Sequence, residues 1–372
     1  MREVVKIVLT GGPCAGKTTA LSAIQGYFSK IGWKTVLLDE EVTSIITSGI
    51  YPPDFENPLA FQEFLLKQIL DKEINYEHYL AQSKYDKILI VCDRGACDAK
   101  AYMSKADYQH LLDALEVTDV MLRDRYDAVF HMVTAADGAE EFYTLANNAA
   151  RSETPEQAIA LDHRTQNAWI GHPHLRIIKN NCTFEQKLNH LLSEISSFLG
   201  EPEPFEIERK YLIDYPPLAA LDAMENCQRV EILQTYLISA PGEETRIRQR
   251  GQDGSYTFTR TTKRNTDDPA KRVEVEEHIS RDTYLKLLMQ ADPSRQPVRK
   301  TRYCLMQRDS GQYLEIDIYP TNNHYAILEI ELPDTSSTVH VPNFIHIVKE
   351  VTDDPRYKNY AIAASGGNLP TD

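Results

Sequence analysis

Seventeen charged residues recur at every second position along seven stretches of the C-terminal half. Arg, Lys, Glu and Asp are the groups that grip phosphate and divalent metal. Side chains two apart in a strand share a face. Glu206, Glu208 and Lys210 therefore lie together, as do Glu244, Arg246, Arg248 and Arg250, and then Arg272, Glu274 and Glu276. Lys300 with Arg302, Glu315 with Asp317, and Glu329 with Glu331 repeat the pattern, and Lys263 is a further member between the second and third sets. The opposite faces are apolar: Val273, Val275 and Ile279; Leu314, Ile316 and Ile318; Ala326, Leu328, Ile330 and Leu332. A solvated sheet also has one polar face, but it mixes in Thr, Ser and Gln. If the sheet closes, a face this ionic lines a wet interior, with cations for a polyanion and carboxylates for Mg or Mn.

A second phosphate-binding pattern stands at the other end. Val4-Val5-Lys6-Ile7-Val8-Leu9 reads as a buried strand, and Gly11-Gly12-Pro13-Cys14-Ala15-Gly16-Lys17-Thr18 comes directly after it, matching GxxxxGK[ST] in strand, loop and helix context. Glycines let backbone N–H groups converge on phosphate oxygens, and the helix starting near Lys17 adds its positive end. Gly11, Gly12, Gly16, Lys17, Thr18 and Thr19 are the predicted contacts to ATP or another nucleoside triphosphate, with Lys17 on the β/γ-phosphates and the Thr18 hydroxyl on Mg. Ile88 to Cys92 is an apolar strand ending in Asp93-Arg94-Gly95, the shape of an element whose carboxylate holds Mg through water or orients the attacking group. Asp39-Glu40-Glu41 comes after the second strand, where acids serve either an acceptor site or a helix N-cap.

These residues carry two resemblances. Glu206-Ile-Glu208-Arg-Lys210 resembles the ExExK signature of the CYTH family, the triphosphate tunnel metalloenzymes. The later motifs are similar to that family's in kind and in order: Glu-x-Arg-x-Arg-x-Arg at 244 to 250, Arg-x-Glu-x-Glu at 272 to 276, Lys-x-Arg at 300 to 302, Glu-x-Asp at 315 to 317 and Glu-x-Glu at 329 to 331. Lys349-Glu350-Val351-Thr352 and Tyr357-Lys358-Asn359 resemble that family's closing segment, so the likeness spans about 203 to 365. It implies an antiparallel β-barrel whose Lys210, Arg246, Arg248, Lys263, Arg272, Lys300 and Arg302 position a triphosphate. The same likeness makes Glu206, Glu208, Glu329 and Glu331 metal ligands, with Glu274, Glu276, Glu315 and Asp317 for a second ion or for orienting water. In the first half, Asp93-Arg94-Gly95 resembles kinase-like P-loop proteins, which place the aspartate beside an acceptor and the arginine beside the phosphates. Arg151, and Arg164 in the helix running to Trp169-Ile170-Gly171-His172-Pro173-His174, resemble the lid region and terminal motif of nicotinamide-riboside-kinase-type ATPases. Either arginine could neutralise a transferring phosphoryl group or simply be solvated. For His172 and His174 no third metal ligand is evident, which favours a turn or hydrogen-bonding role.

The elements that must position these groups are read from periodicity. Strands at 34–38, 87–92, 128–133 and 175–178 alternate with helical spacing over 17–31, 57–84, 108–116, 155–170 and 183–199, predicting an α/β domain with a parallel sheet covered on both faces. Thr183 with Gln186 is a predicted capping box. Gly200-Glu201-Pro202-Glu203-Pro204 breaks regular structure, so domains are expected at 1–199 and 205–372 about a 200–204 linker. In the strand from Tyr256 to Lys263, Arg260 and Lys263 fall on opposite faces, and a bulge would be needed to bring both inside.

With 372 residues, 42% hydrophobic and 26% charged, the chain reads as a two-domain soluble protein. Its net charge of −15 is spread over both halves, so neither offers the basic surface that nucleic acid requires. Six cysteines without metal spacing, no leader pattern and no apolar run of about 20 residues fit a reduced, cytoplasmic protein without a membrane partner. The expected function is metal-dependent hydrolysis of inorganic or small organic or nucleoside triphosphates at the γ-phosphate. A small-metabolite kinase whose CYTH half senses a phosphorylated ligand, and a nucleotidyl cyclase, are the alternatives. Oligomeric state is left open.

Overall fold

The structure, a computed structural model, describes residues 3–143, 154–201, 207–240, 242–265, 272–332 and 337–370. It divides into two compact units, Met1–Phe205 and Glu206–Asp372. Residues 202–204 of the expected linker lie outside the described residues, as do Arg151 and Glu206.

The first unit contains strands β1 (Glu3–Gly11), β2 (Lys34–Leu38), β3 (Lys87–Asp93), β4 (Ala128–Met132) and β5 (Leu175–Ile178). All pair in parallel, in the order β2-β3-β1-β4-β5. A central parallel strand is covered on both faces, so its apolar run need not alternate; accordingly Ile7, Val8 and Leu9 are all fully buried. Between the strands run α1 (Lys17–Lys30), α2 (Glu41–Thr47), α3 (Pro58–Leu80), α4 (Lys105–Ala114), α5 (Asp119–Arg123), α6 (Pro155–Ala168) and α7 (Phe184–Phe198). Ala20, Leu21, Ile24 and Phe28 form the helical stripe that seats α1 on the sheet. The capping box of α7 is made as expected, Thr183 N–H donating to Gln186 and Gln186 N–H to Thr183 Oγ1, at 3.0 and 3.3 Å. Among the described residues, no helix is long and apolar enough to cross a membrane.

The second unit is one antiparallel sheet. Its strands are β6 (Ile207–Asp214), β7 (Cys227–Tyr236), β8 (Glu243–Gln252), β9 (Ser255–Asn265), β10 (Arg272–His278), β11 (Val298–Gln307), β12 (Gln312–Ile318), β13 (Tyr325–Leu332) and β14 (Ile347–Glu350). Short helices α8 (Leu218–Asp222), α9 (Arg281–Leu287) and α10 (Asn359–Ala364) accompany them. The order is β10-β9-β8-β7-β11-β12-β13-β6-β14. This corrects the expectation of a barrel: among the described residues the two edge strands do not pair, and the sheet stays open. Closure needs edges that match in length and register. Here β14 has four residues with a register break between Ile347 and Lys349, whereas β10 has seven.

The apolar face of this sheet packs Ile213, Leu305, Leu314, Ile316, Leu328 and Ile330 into a core. The opposite face carries the charges and continues, two residues along each strand, into Leu212, Tyr236, Val298, Tyr319 and Ile327. Those side chains form a separate apolar cluster with Val351, Tyr357, Ile362 and Leu369. The stretch from 351 to 369 thus packs over the apolar end of this face.

Candidate functional site

In the first unit the loop after β1 is shaped by glycines. Gly11 has φ +144°, and a Cβ there would lie 2.1 Å from the Met132 carbonyl of β4. Gly16, at φ +89°, turns the chain into α1 against the Phe184 ring. Lys17 Nζ folds back on its own loop, donating to the Gly11 and Gly12 carbonyls at 3.1 and 3.4 Å. Thr18 and Thr19 stand in the first turn of α1, both exposed. Two residues that no sequence signal singles out brace this loop from behind. Asp162 of α6 accepts from Gly12 N–H at 2.7 Å and Thr134 N–H at 3.2 Å and lies 3.2 Å from His131 Nε2. Burial works against its charge, but His131 and these N–H groups hold its carboxyl below the usual range. Lys187 of α7 donates to the Ala15 and Val133 carbonyls and to Asn180, at 3.1, 2.8 and 2.7 Å.

Asp93 ends β3 beside Leu9 of β1, two residues before the loop. Burial raises it to about 6, and its Oδ1 is buried without a hydrogen bond. Burial, then Arg94, bring Lys17 down to about 8. Arg94 takes a left-handed φ of 68°, uncommon for a side chain of that size, and its guanidinium meets Glu40 and, at 3.5 Å, Asp98. Asp98 also accepts from Thr10 Oγ1 and Trp169 Nε1, at 2.8 and 2.6 Å. Arg164 donates to the Ala101 carbonyl at 2.9 Å. His172 Nδ1 accepts from His174 N–H at 3.0 Å, so its other nitrogen carries the proton given to the Tyr126 carbonyl at 2.9 Å. That is a turn-fixing role.

In the second unit the register brings the charges together across strands. Lys210 is opposite Glu329, Glu315 opposite Glu329, and Arg302 opposite Asp317. Arg302 makes a two-bond contact to Asp317, both at 2.7 Å, and also meets Glu315 and Glu329. Lys300 pairs with Asp317, and Lys210 with Glu329 at 2.7 Å. The Lys210 backbone is fixed by Thr352, whose Oγ1 accepts its N–H at 3.0 Å. Burial works against the charge of Glu329, but Lys300, Lys210 and Arg302 hold it well below the ordinary carboxylate range. Glu208 behaves oppositely: the protein packed around it and repulsion from Glu329 push it up to about 7, although 43% of its side chain stays exposed, while Lys210, 3.7 Å away, pulls the other way.

Across the face, on β8, lies a basic cluster. Burial and the neighbouring Arg246, Arg302 and Arg250 bring Arg248 down to about 10, its Nε has no hydrogen bond, and its Nη1 reaches Glu276 only at 4.0 Å. Lys263 lies opposite Glu244 on one side and Glu274 on the other. β9 needs no bulge, because Arg260 simply points to the other face and pairs with Glu277 at 2.7 Å. Arg272 and Glu274 are placed here by strand register alone. Sequence reasoning passes over β7, whose positions on the charged face are Val230, Ile232, Gln234 and Tyr236. Their alternation is the available signal, and a search for charges misses it. Gln234 is buried with its Oε1 unbonded.

Among the described residues no group of three or more His, Cys, Asp or Glu is placed to hold a metal ion. The repulsion between Glu208 and Glu329 is nevertheless the electrostatics that a divalent cation relieves.

A P-loop α/β unit and an antiparallel sheet with one ionic face define the class of molecule. A family profile described as "AAA domain" matches residues 6–187. An inorganic triphosphatase from Nitrosomonas europaea is 32% identical over 162 residues, 43% of this chain and 97% of that protein. The chain belongs to the family of that triphosphatase, which is the CYTH family. A crystal structure of an inorganic triphosphatase is 28% identical, covers 45% of this chain and 97% of its own, and superposes with a TM-score of 0.32. A protein from Pyrococcus horikoshii is 21% identical over 35% of this chain and 80% of its own, with a TM-score of 0.27.

Proposed function

We infer that the second unit hydrolyses the terminal phosphate of inorganic triphosphate or a small organic or nucleoside triphosphate, and that the P-loop unit binds a nucleoside triphosphate. The observation that carries the first reading is the crowding of Arg246 and Arg250 about Arg248, where burial and those neighbouring charges make the Arg248 guanidinium costly to keep charged. A polyanion removes that cost. Arg246, Arg248 and Lys263 then grip the phosphate chain, with Arg272 beside them in the register. Arg302, Lys300 and Lys210 hold the carboxylates of Glu315, Asp317 and Glu329 in place on the facing strands. Water, oriented by a carboxylate of this lining, attacks the terminal phosphorus in line, and the bond to the bridging oxygen breaks, releasing phosphate and, from inorganic triphosphate, diphosphate. Glu208 and Glu329, with Glu206 and Glu331, are the residues that would hold Mg or Mn, which supplies charge neutralisation and polarises the phosphoryl oxygens.

The test supplies inorganic triphosphate and ATP with Mg or Mn to the intact chain, Lys17→Ala, Glu208→Gln and Glu329→Gln, and measures phosphate, diphosphate and cyclic nucleotide. Phosphate release from inorganic triphosphate that survives Lys17→Ala and is lost in both glutamine variants is the expected result. Loss confined to Lys17→Ala moves the activity to the P-loop unit, and diphosphate with cyclic nucleotide establishes a cyclase instead.

A further inference from the structure

The ionic face of the sheet unit ends at a buried amide. Gln234 of β7 is 1% exposed and stands between Val298 of β11 and Arg248 of β8 in the register. Two residues on, and on the same face, Tyr236 belongs to the apolar cluster completed by Val351, Tyr357, Ile362 and Leu369. Tyr236, Val298 and Tyr319 are each no more than 3% exposed, so the face is closed at this end. Along β6, away from Leu212 of the same cluster, it is open, and 43% of the Glu208 side chain is exposed.

Gln234 Nε2 lies 2.7 Å from the Tyr236 hydroxyl, and its Oε1 has no hydrogen-bond partner among the described residues. A buried carbonyl oxygen in that state is costly, and a native protein rarely keeps one without a reason. Arg246 also hydrogen-bonds the Tyr236 hydroxyl. A guanidinium only donates, so the hydroxyl oxygen accepts from Arg246 and its proton is left to give. A half-turn of the amide offers Oε1 to that proton and carries the NH2 group into the place Oε1 held. On the same face the Arg248 Nε is likewise buried without a hydrogen bond. What this set then lacks is an acceptor. A phosphate oxygen supplies it, and the bond it receives from a guanidinium is charge-assisted. A further cation in place of the amide would add to what burial, Arg246, Arg302 and Arg250 already make costly at Arg248, whereas a neutral donor does not.

We propose that Gln234 and Arg248 seat an unesterified end phosphate of the bound chain at this closed end, so that the ligands of the face are polyphosphates with at least one free terminal phosphate. The inference rests on the reading that the ionic face binds a triphosphate. An ester group on the seated phosphate would have to displace Tyr236, Val298 or Tyr319, which are packed into the apolar cluster. A substituent at the other end of the chain meets no such wall.

The test uses the full chain carrying Lys17→Ala, in EDTA so that nothing turns over, with calorimetry as the readout. The ligands are inorganic triphosphate, methyl triphosphate, and a tetraphosphate esterified by methyl at both ends. The last two carry the same charge when fully ionised, one with a free end and the other with none. Methyl triphosphate should bind at least tenfold more tightly than the doubly esterified chain, a comparison that needs no substitution in the sheet unit. Gln234→Met, which keeps the volume and removes the amide, should raise the Kd of methyl triphosphate at least fivefold and leave that of the doubly esterified chain within twofold. Any smaller preference for the free end overturns the proposal, and so does a smaller rise in Gln234→Met or an equal rise for both ligands. If inorganic triphosphate itself fails to bind, the reading of the ionic face as a triphosphate site falls, and this inference with it.

Discussion

The two units solve one electrostatic problem in opposite ways. In the P-loop unit the candidate phosphate site is built from backbone: Gly11 and Gly16 adopt conformations that side chains resist, and a single lysine rests on its own loop carbonyls. In the sheet unit it is built from side chains, with cations and carboxylates packed on one face and mostly paired before any ligand arrives. A backbone cradle is contiguous in the chain and tolerates little change in shape. An ionic face is scattered over strands far apart in sequence and tolerates little change in charge.

The comparison breaks most visibly if the two sites fail to separate. Glu329→Gln should lower triphosphate hydrolysis by at least about 100-fold, the upper range for loss of even an outer-shell partner of a metal site, while ATP binding stays within twofold. Lys17→Ala should do the reverse, and paired hydrolysis and calorimetry measurements check both. If one substitution abolished both properties, a single shared site would replace two.

A smaller effect concerns the brace behind the P-loop. Asp162→Ala leaves the Gly12 and Thr134 N–H groups and His131 without their common acceptor in a buried place. Loss of such a partner costs about 1–3 kcal/mol per group stranded. With three groups stranded, chemical denaturation should show a loss of at least about 3 kcal/mol in the transition of the P-loop unit, the lower end of that range for each, with that of the sheet unit unchanged.

How much of this was readable in the sequence obeys the same division. The P-loop is a run of consecutive residues and could be recognised at once, but Asp162 lies 150 residues away on what reads as an ordinary helix face, and nothing local marks it. The five parallel strands were legible because apolar runs and helical spacing alternate. On the sheet, period-two spacing identified the charged positions strand by strand. It could not supply the order of the strands, and so did not show that Arg302 gathers three carboxylates while Arg248 is surrounded by arginines. Strand β7 was missed because its positions on the charged face are aliphatic, aromatic or amide, and closure was expected from the ionic face and the CYTH likeness, whereas the pairing of the edge strands is a tertiary property that neither of those signals carries.

Arg248 sharpens the side-chain half of the comparison. Its removal takes charge-assisted contacts from a bound polyanion, each worth about 1.5–3 kcal/mol. Arg248→Ala should therefore weaken triphosphate affinity by at least about tenfold, measured as Kd by calorimetry. Arg260→Ala is the control, since that guanidinium lies on the other face with Glu277 and should leave Kd unchanged. Equal losses in both variants would mean that net charge, and not the inward face, attracts the ligand.

The smallest predicted effect is a pH dependence belonging to the P-loop alone. Burial and Arg94 put the Lys17 ammonium at about 8 in the free protein, and triphosphate bound beside it must raise that value. Binding thus favours the protonated lysine. At pH 7 the proton is already in place, whereas above pH 8 it has to be taken up with the ligand, and affinity falls by up to tenfold per unit until the bound-state value is reached. ATP affinity, measured by calorimetry with Mg saturating, should drop roughly tenfold between pH 7 and pH 9. Lys17→Arg, charged throughout that interval, should give a flat profile even if its affinity is lower. A fall of the same size in the arginine variant would assign the titration to another group and remove Lys17 from the phosphate contact.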